Sequence, residues 1–220
     1  SILPEHFDDI YHRLRHCKNV SKITFASHVS CADELDNNDT LNQQKDFERC
    51  ITGFSNNRSL ANSAATLAWP KSHSDWIRPG IMLYGSSPFS VPNDNASRMR
   101  SAMTLRSKII AERTIAPHES IGYGKRWQSQ RTTRVGTVAI GYGDGYPRNA
   151  PDGTPVLIEG KRSQLIGRVC MDMINVDLTD IPTAGVGSSV ELWGKGLSVN
   201  EVANAAQTNT YVLLTRLTRR

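Results

Sequence analysis

Apolar residues in the first ninety positions recur at two spacings. After Pro4, which suits the first turn of a helix, Phe7, Ile10, Tyr11 and Leu14 fall three and four apart on one helical face. Lys22 to Val29 is a short β-leaning run that carries His28 near its end. Asn37-Asn38-Asp39 offers turn and capping chemistry for a helix bearing Leu41, Phe47, Ile51 and Phe54. Ser59 to Asn62 reads as another short strand and Ala64 to Trp69 as a short helix. Ile77 to Tyr84, interrupted by Pro79-Gly80, reads as a strand with a turn built into it. The order α-β-α-β-α-β is that of parallel βαβ units.

The rhythm then changes. Ser86 to Ser97 is rich in Ser, Pro and Asn and reads as a linker or crossing loop. Beyond Ser101 short β-leaning runs follow one another: Thr104 to Ile110, Val135 to Ile140, Val156 to Glu159, Met173 to Leu178 and Val190 to Trp193. A helix near Val199 to Gln207 precedes a last apolar run, Tyr211 to Leu217. This part is a β-domain, barrel or sandwich. The first part holds too few βα units to close a (β/α)8 barrel, which takes roughly 250 residues. It is either a small independent α/β layer or the end of a barrel that begins elsewhere.

Composition narrows the class only modestly. The 220 residues are 38% hydrophobic and 21% charged, as in an ordinary soluble protein. No apolar run approaches the roughly 20 residues that span a bilayer, and the first residues lack the pattern of a signal peptide. The net charge of +5 is spread along the chain. It fits a solvated face and argues against a nucleic-acid interface. Cys17, Cys31, Cys50 and Cys170 show neither C-x-x-C nor zinc-ligand spacing, so no metal is expected. They fit reduced thiols in a cytoplasmic protein.

Three segments carry candidate chemistry. Gly141-Tyr142-Gly143-Asp144-Gly145-Tyr146-Pro147-Arg148 holds two tyrosines, an aspartate and an arginine in a glycine-rich turn. It is either a packed β-turn or a site where one phenol serves as acid or base. In Ile77-Arg78-Pro79-Gly80-Ile81 an arginine stands beside a turn whose N–H groups suit an anion; a plain surface arginine is the alternative. Gly167-Arg168-Val169-Cys170-Met171-Asp172 would by itself pass for β-domain core, with Cys170 a weak nucleophile candidate. No P-loop or Rossmann fingerprint is present.

Taken in this order, these segments resemble the alanine racemases, in particular their proteobacterial branch. The likeness also runs through Pro4 to Val20, Ser27 to Glu34, Arg58 to Pro70, Ile121 to Trp127 and Tyr211 to Leu217. It implies an α/β plus β chain: the C-terminal part of a (β/α)8 barrel over residues 1–95, then a mainly-β domain over 96–220. It further implies pyridoxal 5'-phosphate (PLP) as cofactor, L- and D-alanine as substrates and a homodimer with shared sites. Activity of this kind supplies D-alanine for cell-wall peptidoglycan or degrades alanine, and neither a membrane nor a nucleic acid is implied as partner.

The resemblance assigns roles residue by residue. Tyr142 matches the tyrosine that serves as the second proton-transferring base, contributed by the partner subunit. His28 and Arg78 match the hydrogen-bonded pair that tunes this tyrosine and grips the cofactor ring, with Arg78 facing the pyridine nitrogen. Asn62, Ser63, the N–H groups of Gly80 and Ile81 and the hydroxyl of Tyr211 match the phosphate ligands. Met171 matches the residue whose backbone meets the substrate carboxylate, and Asp144, Tyr146 and Asp172 are supporting residues. The family's PLP-bearing lysine has no match among Lys18, Lys22, Lys45, Lys71, Lys108, Lys125, Lys161 and Lys195. These 220 residues alone are therefore expected to be inactive. The competing expectations are a non-catalytic fragment or dimerisation module, and a serine hydrolase built on Ser63, His28 and Asp144.

Overall fold

A computed structural model describes residues 2–219. The chain divides into two compact units: residues up to 83 with 87–99, and residues 84–86 with those from 100 onward.

In the first unit a 3-10 turn at Pro4–His6 leads into α1 (Phe7–Arg15), followed by β1 (Thr24–Ala26), α2 (Asp39–Cys50), β2 (Asn57–Ser59), α3 (Ser63–Ala68) and α4 (Asp94–Ser97). β1 and β2 pair in parallel, with Phe25 opposite Arg58. Of the apolar stripe of α1, Phe7 and Tyr11 pack, whereas Leu14 is exposed. Phe7 and Tyr11 join Phe25 and Phe54 in edge-to-face contacts, ring centroids 4.7–5.6 Å apart. The Tyr11 hydroxyl donates to Asn56 Oδ1 at 3.1 Å, so the buried ring keeps a polar anchor. A second cluster gathers Val29, Leu60, Ala61, Ala64, Ala65 and Phe89.

Two expectations for this unit need correction. Ile77 to Tyr84 forms no strand. Trp76 N–H and Arg78 N–H donate to Arg58 and Ala61 carbonyls, then Pro79, which has no N–H, ends the incipient ladder. Ile81–Tyr84 continues as a 3-10 helix. Asn62 does not extend a strand from Ser59. Its Oδ1 accepts from Ala65 N–H at 3.0 Å, making it the N-cap of α3.

The second unit contains β3 (Leu105–Ile115), β4 (Ser120–Ile121), β5 (Trp127–Gln128), β6 (Thr133–Val138), β7 (Pro155–Ile158), β8 (Lys161–Gln164), β9 (Ile174–Asp177), β10 (Ser189–Trp193), α5 (Val199–Ala205) and α6 (Thr210–Thr215). Six strands form one antiparallel sheet in the order β8-β7-β10-β3-β6-β9. A bridge between Leu165, just past β8, and Val176 of β9 brings the two edge strands together, so the sheet curls toward closure. Its interior is filled by Val156, Ile158, Ile174, Val176, Val190 and Leu192, and α5 adds Val199, Val202 and Ala203. β4 and β5 make a separate hairpin. The mainly-β expectation holds, but the polar β8 (Lys-Arg-Ser-Gln) and this hairpin carry too little apolar periodicity to be seen in the sequence. The final apolar run folds as α6, capped by Asn209. No helix among the described residues is long and apolar enough to cross a membrane.

Candidate active site

In the first unit the candidate residues collect beyond the C-terminal ends of the two parallel strands, where α/β folds place their sites. Ser27 follows β1 and Ser59 ends β2. The exposed Arg78 guanidinium spans both: Nη1 donates to the Ser59 carbonyl at 2.8 Å and to Ser59 Oγ at 2.7 Å, and Nη2 to the Ser27 carbonyl at 2.6 Å. A planar fork with fixed donors does this better than an ammonium could. His28 is exposed beside it. Among the described residues no hydrogen bond joins His28 to Arg78, so the expected pairing of these two is absent and Arg78 instead staples the strand ends.

Asn62, Ser63, Gly80 and Ile81 form a compact group. Ser63 is 3% exposed, and its Oγ accepts from Gly80 N–H at 2.8 Å and Met82 N–H at 3.4 Å. The hydroxyl proton is left to donate. The Ile81 N–H takes no hydrogen bond among the described residues. Gly80 needs no left-handed backbone, and a Cβ there would meet only Ser63 Oγ, 3.9 Å away. Neither conformation nor protein neighbours explain this glycine. An open backbone face beside a hydroxyl donor and an unspent N–H fits an anion such as a phosphate group.

In the second unit the glycine-rich turn is docked onto the segment around Met171. Tyr142 N–H donates to the Cys170 carbonyl at 3.0 Å and Gly143 N–H to the Met171 carbonyl at 2.9 Å. A Cβ on Gly141 would lie 2.3 Å from both carbonyl oxygens, so only glycine permits this approach. Asp144 supports the turn by accepting Gly141 N–H at 2.8 Å. Tyr142 is 41% exposed, with the Arg148 guanidinium 5.5 Å from its ring centroid. Met171 is 50% exposed and its N–H takes no hydrogen bond among the described residues, so it is free to donate to a carboxylate. Tyr211, on α6, is also exposed.

The two tyrosines of the motif are not equivalent. Tyr146 is buried and stacked on Trp193 at 6.1 Å, and its hydroxyl has no partner among the described residues. Burial pushes its phenol well above the ordinary value, which removes it from acid–base work. The hydrolase reading also falls away. No hydrogen bond joins Ser63 to His28, and the Asp144 carboxylate is engaged by its own turn. The Cys170 thiol donates to the Arg168 carbonyl at 3.7 Å. No group of His, Cys, Asp and Glu among the described residues could hold a metal ion.

A third tyrosine was not singled out by sequence. Tyr123 stands at the tip of the β4–β5 hairpin, 70% exposed. Gly122 (φ 74°), Gly124 (φ 71°) and Lys125 (φ 47°) all hold left-handed backbone around it. Glycine takes such φ values without strain, so of the three only Lys125 departs from what its side chain prefers. The signal was the Gly122-Tyr123-Gly124 triplet, hidden because the strands on either side are only two residues long.

Comparison with known proteins identifies the surroundings of both groups. Residues 2–88 match the family described as alanine racemase, N-terminal domain, and residues 102–220 the family described as alanine racemase, C-terminal domain. The chain is 50% identical over 216 residues to an alanine racemase of Pseudomonas taetrolens and to a catabolic alanine racemase of Pseudomonas putida, covering 98% of this chain and 60% of each relative. The crystal structure of the biosynthetic alanine racemase from Pseudomonas aeruginosa superposes with a TM-score of 0.95 at 47% identity, over 100% of this chain and 62% of that one. The alanine racemase of Acinetobacter baumannii gives 0.87 at 37% identity, over 96% and 60%. The chain thus spans about 60% of the length of the relatives it matches.

Proposed function

The chain belongs to the alanine racemase family, and from that premise we propose that it supplies the phosphate cradle of a PLP site and one of two proton-transferring bases in an enzyme that interconverts L- and D-alanine. The carrying observation is the open backbone face of Gly80 beside the Ser63 hydroxyl and the unspent Ile81 N–H.

The residues present fit the group. Asn62, Ser63, Gly80 and Ile81 would hold its phosphate. Arg78 would face the ring nitrogen as a permanent donor, its fork already held rigid by Ser27 and Ser59. When bound, PLP supplies an electron sink that acidifies the α-hydrogen of an amino acid. Met171 N–H would orient the substrate carboxylate. Inversion needs a base on each face, and a phenol on the second unit serves one of them. The other is the lysine for which these 220 residues hold no match. We take the sites to be shared between two copies of the enzyme, the second unit of one completing the first unit of the other. The four free cysteines suit a reducing compartment such as the cytoplasm.

For the phenol there are two readings. The Gly-Tyr-Gly-Asp motif points to Tyr142. Tyr123 is the more exposed of the two, at 70% against 41%, but its neighbours Gly122 and Gly124 hold positive φ as glycines freely do, so exposure alone speaks for it. On the motif reading Tyr142, exposed on a turn bound to the Met171 segment and with the Arg148 guanidinium 5.5 Å from its ring centroid, keeps the role of base.

The proposal is tested by comparing the longer protein that contains this chain with the 220 residues alone, both supplied with PLP. The longer protein racemises alanine; the 220 residues do not. Substantial turnover by a mass-verified 220-residue chain would overturn the account.

A further inference from the structure

The turn that carries Tyr142 is anchored by burial at its two ends, Ile140 before it and Tyr146 after it. Between them Tyr142–Asp144 buries no side chain, so its backbone polar groups decide where the turn sits. The N–H groups are spent first. Gly141 N–H goes to Asp144 Oδ2, Tyr142 N–H to the Cys170 carbonyl and Gly143 N–H to the Met171 carbonyl. Asp144 and Gly145 N–H close the turn on the carbonyls of Gly141 and Tyr142. The carbonyls of Gly143 and Asp144 are left over, the orphan acceptors expected at the end of a short helix.

One residue takes both. Thr218, in the segment after α6, donates its N–H to the Asp144 carbonyl at 3.1 Å and its Oγ1–H to the Gly143 carbonyl at 3.1 Å. Gly145 lets the two backbones meet: it holds φ 100°, and a Cβ there would lie 2.3 Å from the Arg216 carbonyl oxygen. The segment that brings Thr218 is itself fixed. Leu213 is buried in the core of the second unit, and Leu214 and Leu217 pack against it. Gly143 thus touches a segment on each side, Met171 through its N–H and Thr218 through its carbonyl. The turn is clamped between them.

We propose that Thr218 is a positioning residue: by taking the two orphan carbonyls of the turn it fixes the Tyr142 phenol against the Met171 segment. This rests on the reading that the Tyr142 phenol serves the reaction. Thr218 is exposed, and its part in the site runs through the backbone of the turn. Thr218→Val keeps the size of the side chain and the N–H bond, and deletes the Oγ1 donor. Thr218→Ser keeps the donor.

The test uses the longer, PLP-loaded protein. Thr218→Val should speed amide hydrogen exchange in residues 142–146 while the six-stranded sheet stays protected. It should lower kcat for alanine inversion about 10-fold with PLP affinity within about twofold, because a small misplacement of a reacting group costs on that order. Thr218→Ser should restore the rate to within about twofold of the parent. In a Tyr142→Phe background Thr218→Val should cost less than about twofold more, because both changes act through one phenol. A loosened turn with undiminished inversion overturns the positioning role and leaves the Tyr142 reading standing, as does a turn that is not loosened at all. Equal loss of PLP and inversion, or losses that multiply in the double variant, overturn it as damage unconnected with the phenol. If Tyr142→Phe itself keeps full inversion, the reading of that phenol falls and the positioning role falls with it.

Discussion

The two units build their candidate groups by opposite means. In the first, a two-stranded sheet and two small apolar clusters provide little framework, and polar side chains do the fixing. Arg78 staples two strand ends, Asn62 caps α3, and Ser63 gathers the N–H groups of Gly80 and Met82. In the second, a curled six-stranded sheet with a continuous core provides the framework, and glycines do the fixing by letting turns dock backbone to backbone. The difference follows from the work. The first unit keeps unspent donors aimed at one open face, which suits holding an anion. The second displays phenols on rigid turns, which suits moving a proton.

That contrast can be sharpened at Ser63. Ser63→Ala removes a hydroxyl donor from the open face and strips Gly80 N–H of its partner. In the longer protein it should weaken PLP binding about tenfold, the 1.4 kcal/mol scale of one good hydrogen bond, while leaving Tyr-dependent proton transfer intact once PLP is saturating. Fluorescence titration of PLP checks this. Unchanged affinity would place the phosphate elsewhere.

The smallest effect is expected at Tyr146, where the second unit holds a phenol for packing alone. Its hydroxyl is buried without a partner among the described residues, so Tyr146→Phe should change stability at neutral pH by less than about 1 kcal/mol. Burial raises the folded-state phenol above its ordinary value near 10. Above that pH the unfolded chain releases this proton and the folded chain does not, so the parent loses stability as pH rises. The Phe variant escapes that loss and should be the more stable of the two at pH 11 in parallel denaturant titrations. Identical alkaline behaviour would show that the hydroxyl reaches water.

How much of this was legible in sequence depended on where the information lay. α1, the parallel βαβ order and the strands β6, β7, β9 and β10 followed from periodicity, because each turns an apolar face to a core. The phosphate group was legible through Asn62-Ser63 and Pro79-Gly80-Ile81, short motifs whose chemistry is local. The strand expected at Ile77 to Tyr84 failed because Pro79 ends a ladder that its apolar neighbours invite. The division of labour among the tyrosines was not legible. Tyr142 and Tyr146 share one motif, and only the fold shows that one faces outward while the other stacks on Trp193. Asp152, which brackets two segments by accepting from Gly167 N–H at 2.6 Å and from Arg126 Nε at 3.0 Å, left no trace at all. Its partners lie 26 residues before and 15 after it, and its meaning exists only where the three segments meet.

The most direct test of the central claim, that a phenol of the second unit is one of the two proposed bases, compares Tyr142→Phe with Tyr123→Phe in the longer, PLP-saturated protein. Inversion of alanine and α-hydrogen exchange with solvent deuterium would be followed together by NMR. On the motif reading Tyr142→Phe is expected to lower inversion by about 10²- to 10⁴-fold with PLP retained and exchange persisting on one face, while Tyr123→Phe leaves inversion largely intact. Full inversion in Tyr142→Phe, with the large loss falling on Tyr123→Phe instead, would contradict this and move the base to the hairpin tip.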